Sequence, residues 1–259
     1  MLLPEQHTIT GMGINPGYRF NHYIPVANGR YRMLYHFLKM YPAYKSRFAL
    51  HDWPNYGMFS AASQVQLDVT KDNVLEAINT FNKLEPLKAL LFANSVWDEN
   101  PDILINRDWL WVNSMHGLNP HNVGLLREEI NSIDELIDYI ASMSMYCTER
   151  EGHYLYFPPM RADEYFDQKT VTGTYHTEDG EKQLTFCPEP ADIAYLRSFK
   201  YVDLTFRGTL ELRSVCTQPI ADSCFLSPTP IEMRLKHGRV CAMLKEHTRR
   251  RAEYLRMAM

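Results

Sequence analysis

KYVDLTFRGTLELRSVCTQP, Lys200 to Pro219, alternates apolar and polar positions more strictly than any other part of this 259-residue chain. Val202, Leu204, Phe206, Gly208, Leu210 and Leu212 fall on one side, and Asp203, Thr205, Arg207, Thr209, Glu211 and Arg213 on the other. Successive side chains of a strand point to opposite faces. The spacing therefore predicts a strand with a core-facing side and a side that presents two arginines and a carboxylate. Both a solvated outer face of an antiparallel sheet and a binding face fit that pattern.

Working outward, a second two-faced strand is expected within Met58 to Val69, with Gln64, Gln66 and Asp68 opposite Val65, Leu67 and Val69. Thr70 can cap a helix from Lys71 whose buried stripe is Val74, Ala77, Ile78 and Phe81, and Pro86 then restarts an apolar helix, PLKALLFANS. Ser132 and Glu135 form a capping box for the helix IDELIDYIASMSMY. Residues 170–187 read as a hairpin turning at Glu178, Asp179 and Gly180, and Ala191 to Phe199 as a short helix feeding the opening strand. Nearer the N-terminus, residues 7–14 read as a strand and Arg30 to Tyr41 as a helix closed by Pro42. Pro228 and Pro230 introduce a C-terminal helix interrupted near Gly238. Without a repeat, a linker or a regular βαβ rhythm, the simplest organisation is one α+β domain over residues 1–259.

With 45% hydrophobic, 22% charged and 12% aromatic residues the chain is an ordinary globular sequence, not a compositionally disordered one. The net charge of -4 hides a basic segment: residues 228–259 hold eight Lys/Arg against three Glu. That segment is read as a solvated helix face rather than a nucleic-acid or membrane contact. Five cysteines, Cys147, Cys187, Cys216, Cys224 and Cys241, form no CxxC pair, which points to free thiols in a reducing cytoplasm. The N-terminus lacks a signal-peptide pattern, and no stretch reaches the ~18 apolar residues of a membrane helix.

The GxxxxGK(S/T), GxGxxG, HExxH and GxSxG signatures are missing. His116 and His121 do not have a standard metal spacing, and Met143 to Met145 are read as helical core. What remains is a distributed polar set: Gln64, Asn94, Arg107, Arg207, Glu211 and Arg213. A carboxylate suits a hard cation such as Mg²⁺, and guanidinium forks suit phosphate or carboxylate groups. By geometry alone Glu211 and Arg213 could be a cross-strand or same-face salt bridge.

Three segments, QVQLDV (64–69), LFANSVWDENPDILINRDWLW (91–111) and RGTLELRSVCTQP (207–219), occur in an order that resembles the glutamate-cysteine ligase family of the plant and bacterial type. The resemblance extends from about Thr10 to Pro219. It implies a glutamine synthetase/guanido kinase-like fold, a curved, mainly antiparallel sheet flanked by helices. It also implies an ATP- and Mg²⁺-dependent reaction in which glutamate is phosphorylated on its γ-carboxylate and an amine, usually that of cysteine, displaces phosphate, as in glutathione biosynthesis. Carried over, Glu211 is a metal ligand, Arg213 holds the transferring phosphate, Arg107 binds glutamate or phosphate, and Gln64, Asn94 and Arg207 line the site. The family's acidic N-terminal strands have no counterpart here, where Glu5 stands alone, and Cys216 replaces an acidic residue expected after Glu-x-Arg. The fold is therefore expected to be incomplete. Two alternatives follow: a catalytically inactive scaffold with a binding or regulatory role, or a chain that depends on a partner for the missing acidic strands. Neither nucleic acid nor membrane is an expected partner.

Overall fold

Lys200 to Gln218 folds back on itself rather than forming one strand. In the computed structural model, which describes residues 11–19 and 25–218, β8 (Val202–Leu204) and β9 (Thr209–Leu212) form an antiparallel hairpin. Thr205 N donates to Thr209 O at 2.9 Å, Gly208 N donates to Thr205 O at 3.0 Å, and Gly208 has φ +78, a left-handed conformation that suits a residue without Cβ. The cross-strand partners Val202 with Leu212, Asp203 with Glu211 and Leu204 with Leu210 have matching parity, so the alternation runs unbroken through the turn. Phe206, expected on the core side, sits in that turn and is 62% exposed.

β1 (Val65–Asp68) pairs antiparallel with the other side of β9, giving the sheet order β1-β9-β8. Its alternation is as expected: Val65 and Leu67 join Val202, Leu204, Leu210 and Leu212 against Val74 and Ile78 of α3 (Val74–Phe92) and Leu136 of α5 (Ile133–Ser142). Each such side chain taken out of water contributes about 1.5–3 kcal/mol. The opposite face carries Gln66, Asp203, Glu211 and Arg213.

Helix α3 starts three residues later than expected, because Thr70 N donates to Asn73 Oδ1 at 2.7 Å and shapes a turn ahead of Val74. Pro86 lies inside α3; its missing N–H costs the bond to the Asn82 carbonyl without ending the helix. Asn79 and Asn82 each both donate to and accept from one backbone position, Ile130 and Leu126 respectively, and fasten the segment between α3 and α5.

Ser132 caps α5 by accepting from Glu135 N at 3.1 Å, but Glu135 returns its carboxylate to Asn131 N, one residue earlier than a regular capping box. The helix ends at Ser142, and Met145 lies fully buried on β3 (Ser144–Arg150) rather than on a helix. Asn122 explains the switch: its side chain accepts from Ser144 N at 2.7 Å and donates to Ser144 O at 3.0 Å, drawing the backbone out of helical pairing.

β3 opens a four-stranded antiparallel sheet with β4 (His153–Arg161), β5 (Val171–Thr177) and β6 (Gly180–Phe186), and the β5–β6 turn falls at Glu178 and Asp179 as expected. α6 (Ala162–Phe166) links β4 to β5. The segment after β6 is a 3-10 turn, Pro190–Tyr195, rather than a helix to Phe199. Its buried Asp192 accepts from both Arg150 Nη atoms at 2.6 Å, from Thr148 and Tyr165 hydroxyls at 2.7 Å, and from Glu189 N at 2.8 Å.

β2 (Val123–Gly124) and β7 (Phe199–Lys200) form a short parallel pair. Lys200, 2% exposed, donates through Nζ to the carbonyls of Val123 at 2.9 Å and Leu125 at 2.6 Å and more weakly to that of Pro120. α1 (Gly29–Leu38) is followed by α2 (Tyr41–Lys45), whose first turn holds Pro42; the proline opens a helix where its missing N–H costs nothing, instead of closing one. α4 (Asn106–Val112) completes the helices among the described residues. The expected C-terminal helix, Glu5, residues 7–10, Cys224 and Cys241 lie outside the described residues; of residues 11–14, Ile14 forms an isolated bridge with Ser60 in place of a strand. The architecture is thus α+β, with antiparallel sheets and one parallel pair.

Candidate functional site

A cleft of about 740 Å³ runs from the polar face of the β1-β9-β8 sheet past the β8 edge to the core residues Ile78, Leu136 and Val202. Gln64, Arg107, Arg207, Glu211 and Arg213, five of the six positions singled out in the sequence, line it. Asn94 does not. Its side chain donates instead to the backbone carbonyls of Gly11 and Thr217, tying the end of α3 to two distant segments.

Glu211 and Arg213 are neighbours on one face of β9 because they are two residues apart. Arg213 Nη2 donates to Glu211 Oε1 at 2.8 Å and lies 3.4 Å from Asp203 Oδ2, while Nη1 donates to the Ser198 carbonyl. The second Glu211 oxygen accepts from Gln66 Nε2 at 3.2 Å, and Asp203 Oδ1 accepts from Ser198 Oγ at 2.6 Å. Burial pushes the Asp203 carboxyl above its usual range, against the pull of Arg213. The cluster is therefore one cation shared by two carboxylates that each also accept a neutral hydrogen bond.

Arg107 is brought to the wall by α4. Its backbone N–H donates to Ser95 Oγ at 3.1 Å, its Nη1 lies 3.1 Å from Asp108 Oδ1, and it is only 7% exposed. Burial pushes the Asp108 carboxyl up to about 6, the Arg107 charge opposing. Behind the cleft, Phe199 separates Arg213 from His116, whose ring centroid lies 3.9 Å from that of Phe199. His116 bonds the Tyr56 hydroxyl through Nδ1, and burial, then the Arg213 charge, holds it well below its usual value, so it is neutral.

Three charged lining residues escaped the sequence reading as site candidates: Arg30 on the first turn of α1, Arg197, and Asp203. Asp203 had a signal, since it shares the polar face with Glu211 once the hairpin closes. Arg30 and Arg197 had none; neither makes an ion pair with a described residue. With Arg107, Arg207 and Arg213 they give the cleft five guanidinium groups against two carboxylates. Such a surface suits an anionic ligand with phosphate or carboxylate groups, which guanidinium forks can bind bidentately.

For Mg²⁺ the residues fit in part. Glu211 and Asp203 offer the one or two carboxylates that such an ion takes alongside phosphate oxygens, but both are already engaged by Arg213. Among the described residues no group of three or more His, Cys, Asp or Glu is placed to hold a metal. No described helix is long and apolar enough to cross a membrane. Comparison with protein families, with curated proteins and with solved structures finds no match to this chain.

Proposed function

We propose that this chain is an ATP-dependent carboxylate-amine ligase of the glutamate-cysteine ligase type, on a glutamine synthetase/guanido kinase-like scaffold, making a γ-glutamyl amide through a γ-glutamyl phosphate in a glutathione-forming, cytoplasmic setting. One observation supports it above others: Gln64, Arg107, Glu211 and Arg213, far apart in sequence, line a single cleft with three further arginines. Phosphoryl transfer depends on positioning and on neutralising charge, which guanidinium groups and a bound Mg²⁺ supply, and needs no protein nucleophile. Arg213, Arg107 and Arg207 would hold phosphate and carboxylate groups, and Glu211 with Asp203 would hold the metal. ADP release from ATP with Mg²⁺, glutamate and a panel of amines including cysteine tests the reading. Glutamate- and amine-dependent ADP release that falls in Arg107→Ala supports it; none from the purified chain, alone or with the product of its neighbouring gene, overturns it.

A second reading, that the chain is inactive until a partner completes the site, draws on the edge of the sheet. The bonds Arg213 N to Tyr201 O at 3.0 Å and Thr205 N to Thr209 O at 2.9 Å fix which β8 residues face β9, so the backbone groups of Val202 and Leu204 turn to the outer edge. No described residue pairs with them, and the cleft runs along that edge. An added strand with acidic side chains toward the arginines would complete both the sheet and the metal site. ADP release that appears only when a second chain is added selects this reading.

A further inference from the structure

Away from the cleft, α1 meets the four-stranded sheet through a stack of imidazoles. The rings of His36 on α1 and His176 on β5 lie 3.4 Å apart and 11° from parallel. Tyr156 of β4 lies parallel to His176, its ring 6.0 Å away, and its hydroxyl is 3.1 Å from His176 Nε2. A cavity of about 110 Å³ lined by Arg32, His36, His153, Tyr156 and His176 adjoins the stack and gives water access to it.

We propose that the His36–His176 stack is an acid-released clamp that holds α1, and with it the cleft residues Arg30 and Tyr31, against the sheet. Two neutral imidazoles stack face to face; two imidazolium ions at that distance repel. The surroundings sharpen the effect. From α1, Arg32 and Lys39 add positive charge, and the Lys39 ammonium is drawn over the Tyr35 ring at 4.1 Å. β4 contributes His153, Tyr154 and Tyr156, and β5 contributes Tyr175. Among the described residues β6 supplies the nearby carboxylate, Glu181, with Oε2 3.8 Å from His176 Nε2. That carboxylate can accommodate a proton on His176; among the described residues nothing comparable faces His36. Burial first, then His176 and Lys39, hold His36 down to about 4, and burial lowers His176 against the pull of Glu181. Both folded values lie below the free value of 6.5, so a released α1 takes up protons first, and the clamp weakens as pH falls from 6.5 toward 4. The inference needs only the position of Arg30 in the cleft wall, and stands whether or not the chain is a ligase.

Amide hydrogen exchange of the full chain, corrected for intrinsic rates, tests it at about pH 7.5 and about pH 5, where linkage to His36 alone predicts about thirty-fold less protection of residues 30–38. The variant His36→Phe, which keeps an aromatic ring in the stack without the α1 proton site, should lose markedly less. Equal loss in both proteins, or none in the wild type, overturns the proposal. If the variant does not fold, imidazole NMR titration of the wild type decides alone: His36 titrating at or above its free value overturns the clamp, and titration well below it supports the clamp.

Discussion

Arg213 and Glu211 bind each other at 2.8 Å on one face of β9, and Glu211 is 6% exposed. The pair that the sequence offers either as a surface salt bridge or as a site is a largely buried ion pair in the wall of a cleft. Removing one partner leaves the other charge without compensation, which costs about 3–5 kcal/mol for a buried pair. Arg213→Ala should lower stability by that order in urea unfolding of the full chain. Arg213→Lys should lose less, since it keeps the charge but not the fork. An Arg213→Ala protein as stable as the wild type would show that water already screens the pair.

Asp192 gathers four donor residues around one carboxylate. Burial raises its affinity for a proton, but Arg150, the Glu189 N–H, Thr148 and Tyr165 together outweigh burial and hold it near 2, below the usual 3.8. Because the folded value is depressed, its contribution is present above pH 3.8 and is lost as pH falls toward 2. Asp192→Asn should lower stability at neutral pH and flatten the acid limb between those values, read by thermal unfolding across pH.

At Lys200 the depressed value marks a cost rather than a gain. Burial lowers its ammonium from 10.5 to about 8, so the folded chain releases the proton first and the penalty for burying the charge is relieved as pH rises from about 8 to 10.5. This shift is worth on the order of 3 kcal/mol at most. Lys200→Met should abolish that upward component of the stability profile while leaving three carbonyls without their donor at neutral pH.

Two glycines separate crowding from backbone strain. A Cβ on Gly117 would lie 1.8 Å from the Val112 carbonyl oxygen, a fixed backbone atom, so Gly117→Ala should prevent folding or lower the melting temperature sharply. Gly152, with φ +76 and nothing within 4 Å of a Cβ, should lose only about 1–2 kcal/mol on substitution by alanine, from left-handed strain alone. Melting temperatures of the two variants distinguish these costs.

What the sequence made legible followed from short-range periodicity. The two faces of β1, the β5–β6 hairpin and the Ser132 cap each depend on residues a few positions apart. The β8–β9 turn was hidden because its loop preserves parity, so an alternation that looks like one strand is two. The boundaries of α3 and α5 were set by side chains, Asn73 and Asn122, that reach the backbone of neighbouring segments. Helical periodicity cannot register such contacts. In the cleft, Glu211 and Arg213 were readable from alternation, whereas Arg30 and Arg197 enter it only through tertiary placement, and Asn94 leaves it for the same reason.

Lys200 also has a consequence for the order in which the chain is made. The Leu125 carbonyl that it holds lies 75 residues earlier, and that oxygen emerges from the ribosome long before its cation. During synthesis the acceptors of residues 120–125 wait for their cation, and the parallel pair β2–β7 can close only after residues 199–200 have been made. A nascent chain halted before residue 200 would thus leave the segment 120–125 without the cation that fastens it.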